Sequence, residues 1–290
     1  MPLDPEIAAY LETQKHLPSR SSLDVATTRE RLRQANALAG PPPPVHRVDN
    51  LVLAGYLRGR QYWPSDHPSL PLVVYFHGGR FLSGDLDSHD ALCRILSLAT
   101  GCRVLAVDYR LAPEHRFPAA TEDATLAVEW ALAQKIPVAV AGDSAGANLA
   151  AGVALAHPAP RLRCQLLVYP MIDATCSLPS YTAFAEGYGP GAADMRRGWR
   201  EYLPASADPR HPLASPLFAG ACDGAPPALV LTAEYDTLRD EGEAYARQLG
   251  VTARRYPGTI HGFFTMPGIL QVARHAIGDA AAFLKRHLAG

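Results

Sequence analysis

Long apolar runs are missing from this sequence. Although 48% of the 290 residues are hydrophobic, no stretch approaches the roughly 18 consecutive apolar residues of a membrane-spanning helix. The first six residues, MPLDPE, contain neither a basic segment nor a long apolar one, so they do not resemble a secretory signal peptide. We therefore expect no membrane partner.

A strong charge of either sign is also missing. The chain contains 27 Lys and Arg against 28 Asp and Glu, which gives a formal net charge of -1. Nucleic-acid-binding domains usually present a basic face, and no long basic run occurs here. We therefore expect no nucleic-acid partner.

Patterned cysteines are the third absence. The chain has five cysteines, and their spacing contains no Cys-x-x-Cys pair. An odd, scattered set is typical of a reducing compartment and does not provide the ligand spacing of a structural zinc site. We expect a cytoplasmic protein without such a metal site.

Short apolar runs alternate with helical patterns through most of the chain. The runs predict eight strands, at 45–53, 55–63, 72–76, 103–107, 138–141, 164–169, 228–232 and 251–256. The intervening patterns predict helices at 87–100, 118–134, 147–156, 238–249 and 269–288. This alternation indicates an α/β protein, with an eight-stranded, mainly parallel sheet covered on both faces. Reactive residues are then expected at the carboxyl ends of the strands.

Two segments lie outside this alternation. Residues 1–39 contain two amphipathic helical patterns, the second capped by Ser22 or Asp24, and four prolines at 41–44 then stop any helix. The segment 1–44 is expected to be a separate lobe or lid. Residues 171–225 form an unusually long connection between two strands, and such a connection is often a lid. The alternative for this insertion is a solvated excursion.

The motif Gly142-Asp143-Ser144-Ala145-Gly146 stands between a predicted strand and a helix of very small residues. A G-x-S-x-G turn in this context is the nucleophile elbow, which holds the serine hydroxyl clear of the backbone. The flanking glycines let strand and helix approach closely, and the helix N-terminus favours an anion. An ordinary tight turn would fit the five residues alone, but their context favours Ser144 as a nucleophile.

A glycine-rich loop, His77-Gly78-Gly79-Arg80, follows the strand predicted at 72–76. Backbone N–H groups in such a loop can point inward together, and beside the elbow they would form an oxyanion hole with the N–H of Ala145. A plain turn is the alternative. We expect His77 to support the loop by hydrogen bonding, because a catalytic base is expected after the serine in the chain.

An acidic residue, Asp236, follows the strand predicted at 228–232. A short carboxylate in this place can fix the tautomer of a catalytic imidazole and stabilise the imidazolium. Glu234 and Asp240 remain alternatives. Glu234 lies nearer to the end of the strand, whereas Asp240 is expected one turn into the next helix and facing away.

His261 lies close behind the last predicted strand. A lone loop histidine is usually just solvated. However, Ser144, Asp236 and His261 each follow a separate strand, in the chain order expected of an α/β-hydrolase. Three such placements together predict a Ser–His–Asp triad.

Five blocks of sequence occur in combination: YFHGGRFLSG at 75–84, DYRLAPEH at 108–115, GDSAG at 142–146, AEYDTLRDEG at 233–242 and HGF at 261–263. Together they resemble the hormone-sensitive-lipase-like esterases of the α/β-hydrolase superfamily. The resemblance runs from about residue 45 to the C-terminus. It implies an α/β-hydrolase catalytic domain over 45–290, with residues 1–44 and the insertion at about 171–225 forming a helical cap.

The resemblance also implies an activity, which is hydrolysis of small carboxylic esters, mostly with short acyl chains, without a cofactor or a metal. It implies Ser144 as nucleophile, His261 as base and Asp236 in preference to Glu234. The oxyanion donors that it implies are Gly78, Gly79, Arg80 and Ala145. Homodimers are common in the family, so a homodimer is the expected partner state.

Arg80 is the main departure from the family pattern. The family's loop usually reads His-Gly-Gly-Gly, and Arg80 replaces its third glycine. The backbone N–H survives this change, but a left-handed conformation would be strained here. We expect the side chain to point away and pair with Asp85 or Asp87. The alternative is that it reaches the pocket and favours an anionic substrate.

Two other functions stay open at this point. The same triad would serve a deacetylase, amidase or lactonase acting on a natural product, because it only makes and breaks an acyl-enzyme. A ligand-binding protein on the same fold is a further alternative. The gibberellin receptors resemble this family but have lost the catalytic histidine, so the presence of His261 disfavours that alternative.

Overall fold

A computed structural model describes residues 2–18 and 20–289, and an eight-stranded sheet runs through its centre. The strands are β1 Arg47–Leu53, β2 Leu57–Trp63, β3 Leu72–Phe76, β4 Arg103–Val107, β5 Val138–Asp143, β6 Cys164–Val168, β7 Ala228–Tyr235 and β8 Arg254–Ile260. Their order is β1-β2-β4-β3-β5-β6-β7-β8. Strands β3 to β8 pair in parallel, and β2 is antiparallel to both β1 and β4. The predicted α/β class and mostly parallel sheet are confirmed.

Helices flank this sheet. They are α1 Pro5–Gln14, α2 Val25–Ala35, α3 Asp90–Thr100, α4 Ala119–Leu132, α5 Ala145–Ala156, α6 Ser180–Ala183, α7 Ala192–Tyr202, α8 Arg239–Gln248 and α9 Gln271–Leu288. Of the two predicted caps for α2, Asp24 takes the role, because its Oδ1 accepts a hydrogen bond of 2.7 Å from the N–H of Thr27. Ser22 instead ends a short 3₁₀ turn, Arg20–Ser22.

The side chains of β3 show how the sheet divides the core. Leu72, Val74 and Phe76 pack on one face with α4, α5 and α8, whereas Val73 and Tyr75 pack on the other face with α3 and α9. All five are buried. Successive side chains of a strand point to opposite faces, so a strand that is covered on both faces is apolar throughout. This burial explains the continuous apolar run in the sequence.

The last strand differs from its prediction. The pattern predicted 251–256, but β8 runs over Arg254–Ile260 and includes Pro257 and Gly258. β8 lies at the edge of the sheet, where a proline does not remove a hydrogen bond that a second neighbouring strand would need. As a result, His261 follows directly on the end of β8.

The N-terminal segment and the long insertion are in contact. Arg197 in α7 donates hydrogen bonds from Nη1 to the carbonyl oxygens of Leu23 at 2.5 Å and of Arg20 and Ser21 at 3.3 Å. Arg197 itself is buried. These bonds attach the chain that leads into α2 to the helix of the insertion.

Candidate active site

Ser144 occupies a sharp turn between β5 and α5. Its backbone has φ 55° and ψ -118°, a strained conformation for a residue with a side chain. The flanking glycines permit it: a Cβ on Gly146 would lie 1.9 Å from the carbonyl oxygen of Phe76, and one on Gly142 would lie 2.4 Å from the carbonyl carbon of Gly146. The turn therefore has the backbone geometry expected of a nucleophile elbow.

The structure brings Ser144, His261 and Asp236 together from the ends of three strands. Nε2 of His261 lies 3.1 Å from Oγ of Ser144, and Nδ1 of His261 lies 2.8 Å from Oδ2 of Asp236. A carboxylate can only accept here, which places a proton on Nδ1 and leaves Nε2 as an acceptor for the hydroxyl. Asp236 is held in turn by the N–H of Leu238, at 2.9 Å from its Oδ1. All three side chains are buried.

The two alternative carboxylates are engaged elsewhere. Oε2 of Glu234 accepts a hydrogen bond of 2.6 Å from the N–H of Gly258, and this bond holds the pKa of Glu234 below its usual value. Oδ2 of Asp240 accepts one of 2.9 Å from the N–H of Ser180. Asp236 is therefore the carboxylate that contacts His261.

The glycine-rich loop lies directly beside the elbow. The N–H of Gly78 donates to Oδ1 of Asp143 at 2.9 Å, so one of the expected oxyanion donors is already engaged. Within residues 2–18 and 20–289, the N–H groups of Gly79, Arg80 and Ala145 donate to no protein acceptor. Gly79 cannot carry a side chain, because a Cβ would lie 1.9 Å from the carbonyl oxygen of Ser83.

Asp143 joins the elbow to this loop. Its Oδ1 accepts hydrogen bonds from Oη of Tyr75 at 2.8 Å and from the N–H of Gly78 at 2.9 Å, and Nε2 of His89 lies 3.4 Å away. Burial alone would raise the pKa of Asp143. The neighbouring His89 and the hydrogen bonds from Tyr75 and Gly78 outweigh burial and hold that pKa below its usual value.

His77 lies beneath the loop. Its ring stacks on Tyr109 with 4.3 Å between centroids, and its Nδ1 lies 2.9 Å from the carbonyl oxygen of Gly78. Burial, followed by the neighbouring His89, lowers the pKa of His77 to about 4. The imidazole is therefore neutral near pH 7, and this geometry suits a supporting role.

The expected partner of Arg80 was wrong. Its Nη1 lies 3.3 Å from Oδ1 of Asp194 in α7, whereas Asp85 pairs with Arg33 and Asp87 pairs with Arg60. The sequence contained no signal for Asp194, which lies in the insertion far along the chain. The Arg80 backbone does adopt the left-handed conformation, with φ 58°.

Two aromatic residues of the insertion, Trp199 and Tyr202, are buried. They contact Phe81, the residue after Arg80. The ring of Tyr202 stacks on the ring of Phe81 with 3.8 Å between centroids, and the centroid of Trp199 lies 5.3 Å from that of Phe81. The insertion therefore packs against the loop that lies beside Ser144.

The described part of the chain contains neither a metal-binding group of side chains nor a membrane-spanning helix. Its His, Cys, Asp and Glu side chains form no group of three or more that is arranged to hold a metal ion. None of the helices within residues 2–18 and 20–289 has both the length and the apolar character that crossing a bilayer requires.

Comparison with known proteins agrees with the fold. A family described by its α/β-hydrolase fold matches residues 73–265. The carboxylic ester hydrolase LipN of Mycobacterium tuberculosis is 39% identical, over 91% of this chain and 77% of its own. The ethyl acetate hydrolase of Pseudomonas putida is 36% identical, over 99% and 100%.

A solved structure extends the agreement to the whole fold. The hyperthermophilic esterase of the archaeon Pyrobaculum calidifontis superposes with a TM-score of 0.90 at 40% sequence identity, over 99% of both chains. The three-dimensional arrangement is thus shared over nearly the full length. The chain belongs to the α/β-hydrolase family, among its hormone-sensitive-lipase-like esterases.

Proposed function

We propose that this protein is a serine carboxylesterase that hydrolyses esters of short acyl chains through an acyl-enzyme. The observation that carries the proposal is the pair of contacts at His261, 3.1 Å to Oγ of Ser144 and 2.8 Å to Oδ2 of Asp236. These are the distances and the order of roles that activate a serine hydroxyl. Relatives named as carboxylic ester hydrolase and ethyl acetate hydrolase support the choice of an ester.

The first half of the reaction forms the acyl-enzyme. Nε2 of His261 takes the proton of Ser144 while Oγ attacks the ester carbonyl carbon, and Asp236 stabilises the resulting imidazolium. The same Nε2 then delivers the proton to the leaving alcohol as the C–O bond breaks. In the second half, His261 deprotonates a water that attacks the acyl carbon, and Ser144 leaves with that proton.

The oxyanion of each tetrahedral intermediate needs hydrogen-bond donors. We assign this role to the N–H groups of Gly79, Arg80 and Ala145, because these donors have no protein acceptor among the described residues. Gly78 contributes indirectly, since its N–H ties the loop to Asp143. Preorganised donors of this kind each contribute about 10²–10³-fold in rate.

The name of a relative supports a small substrate. The ethyl acetate hydrolase of Pseudomonas putida is named for an acetyl ester. Ser144 is 3% exposed and His261 is 8% exposed, so protein surrounds both side chains. We further propose that residues 1–44 and the insertion at about 171–225 act as the cap over this site.

Two broader properties also remain proposals. A cytoplasmic location is supported by the cysteines, all five of which are free, because free buried thiols suit a reducing compartment. A homodimer is supported by the family resemblance. Analytical ultracentrifugation at several concentrations would test it, and a single monomeric species throughout would contradict it.

Hydrolysis of a p-nitrophenyl ester series from acetyl to decanoyl tests the function. We expect kcat/KM to peak at the short chains and to fall by roughly five orders of magnitude in Ser144→Ala. Ser69→Ala is the matched control, because Ser69 is exposed in a distant loop. Near-normal turnover in Ser144→Ala, or no activity on any ester with folded wild-type protein, would contradict the proposal.

A further inference from the structure

Two adjacent residues, the last of the glycine-rich loop and the one that follows it, have left-handed backbones. Arg80 has φ 58° and Phe81 has φ 63°. Side chains make this conformation unfavourable, so it persists only where the surroundings hold it. The conformation matters to the reaction, because it sets the direction of the N–H of Arg80 that we assign to the oxyanion hole.

Helix α7 supplies those surroundings. The guanidinium of Arg80 pairs with Asp194 at 3.3 Å, and the two side chains are 10% and 8% exposed. The other carboxylate oxygen of Asp194 accepts the N–H of Gly191 at 3.0 Å, so the acid is fixed at the start of α7. Phe81 stacks on Tyr202 of the same helix with 3.8 Å between ring centroids.

The fit between loop and helix depends on a glycine in α7. A Cβ on Gly198 would lie 2.7 Å from Cβ of Arg80 and 3.1 Å from its carbonyl oxygen. The helix therefore has no side chain where it meets Arg80. The loop does carry a side chain there, because Arg80 stands where the family usually has its third glycine. Arg80, Asp194 and Gly198 form one interlocking contact between the insertion and the loop.

Stability alone does not explain the ion pair. Burial lowers the pKa of Arg80 to about 10 although Asp194 opposes that shift, which shows that the site disfavours the cation. Apolar side chains of similar volume often stabilise a protein as well as a buried ion pair does. A role in holding the loop accounts for both the charge and the strained backbone.

We propose that Arg80 and Asp194 are positioning residues for ester hydrolysis: their ion pair fixes the left-handed turn so that the N–H groups of Gly79 and Arg80 face the developing oxyanion. This inference rests on the proposed esterase function. The oxyanion exists only in the tetrahedral states, so the pair acts on kcat and leaves KM unchanged.

Two double variants test the proposal without leaving an unpaired buried charge. Arg80→Gly with Asp194→Asn returns the loop to the family pattern, and Arg80→Met with Asp194→Asn keeps a side-chain stem against Gly198. We expect the Gly variant to keep kcat near wild type, because glycine adopts the left-handed conformation freely. We expect kcat to fall roughly tenfold in the Met variant, less than the loss of a whole oxyanion donor, with KM within about twofold of wild type. Arg80→Lys, which keeps the cation, should recover most of that loss.

A transition-state mimic supplies a second readout. Trifluoromethyl ketones add a serine hydroxyl and form a tetrahedral oxyanion, so their inhibition constants should rise by the same factor as kcat falls. Arg255→Gln is the control, because it removes an ion pair, with Glu243, that joins β8 to α8. We expect wild-type values of kcat, KM and inhibition constant for that variant.

Three results would overturn the positioning role. Wild-type kcat in the folded Met variant would show that the pair only fills space. A raised KM with unchanged kcat would show that Arg80 binds substrate. An equal loss of kcat in the Gly variant would show that the loss does not come from the strained backbone. If the Met variant does not fold, Asp194→Asn alone takes its place. Ser144→Ala, measured alongside, separates the two claims: if it is inactive while the doubles are normal, the esterase function stands and the positioning role fails.

Discussion

Asp143→Asn removes a buried charge from beneath the active site and keeps the size of the side chain. Oδ1 of Asp143 accepts two hydrogen bonds, from Tyr75 at 2.8 Å and from Gly78 at 2.9 Å. The amide oxygen of asparagine can accept both, so no donor loses its partner. The substitution therefore isolates the contribution of the charge to stability.

The size of the effect is worked from the two hydrogen bonds, because the neighbouring His89 favours the charge whereas burial opposes it. A bond to a charged group contributes about 1.5–3 kcal/mol and a neutral bond about 0.5–1.5 kcal/mol. The difference is about 1 kcal/mol for each bond, so Asp143→Asn should lower the free energy of unfolding by about 2 kcal/mol. For a chain of this size, that loss corresponds to a fall in Tm of roughly 3–4 °C.

The pH dependence identifies the cause. The pKa of Asp143 in the folded protein lies below its ordinary value of 3.8, so its contribution is complete above that ordinary value and is lost as pH falls through the lower folded pKa. Thermal unfolding followed by circular dichroism should show the full difference in Tm at pH 6–7 and a shrinking one below about pH 4. Asp66→Asn, at an exposed position, is the control. Equal Tm values for the wild type and Asp143→Asn at pH 7, or a gap that widens in acid, would refute the reasoning.

Three further predictions concern other acidic residues and the thiols. Asp236→Asn should lower kcat about 10⁴-fold through the wrong imidazole tautomer, whereas Glu234→Gln should stay within about threefold in the same ester assay; equal losses would contradict the assignment of Asp236. Burial raises the pKa of Glu241 well above its ordinary 4.5. The free energy of unfolding of the wild type therefore falls as pH rises above that ordinary value. Glu241→Gln should therefore unfold at a higher temperature than wild type at pH 8, and this difference in Tm should vanish near pH 4. A difference in Tm that follows the opposite pH trend would refute the reasoning. Ellman's reagent should modify native protein at Cys222 alone, because the other four thiols are buried; a fast reaction that survives in Cys222→Ser would contradict the packing.

The fold could be predicted from sequence wherever burial leaves a strong pattern. The central strands β3 and β4 lie where their apolar runs predicted them, because both faces of each strand are covered. The edge strand β8 was predicted too early, since Pro257 and Gly258 interrupt the pattern while the strand continues through them. An edge strand can include a proline or a glycine, so its apolar sequence pattern is weaker than that of a central strand.

At the candidate site, too, some contacts could be predicted from sequence and others could not. The contact of His261 with Ser144 and Asp236 could be predicted because each residue follows a strand, and parallel strands bring their carboxyl ends to one edge. The partner of Arg80 could not be predicted, because Asp194 is 114 residues away and no sequence pattern relates the two positions. The expectation of Asp85 or Asp87 relied on proximity in sequence. The packing of α7 on the loop decided the pairing instead.

Trapping the acyl-enzyme tests the central claim most directly. The protein would be mixed with p-nitrophenyl butyrate, quenched in acid within its first turnovers and examined by intact-mass and peptide mass spectrometry. We predict that the chain gains one butyryl group, that the modified peptide contains Ser144, and that Ser144→Ala shows no such species. Product formation with no acylated protein, or acylation at another residue, would contradict the mechanism.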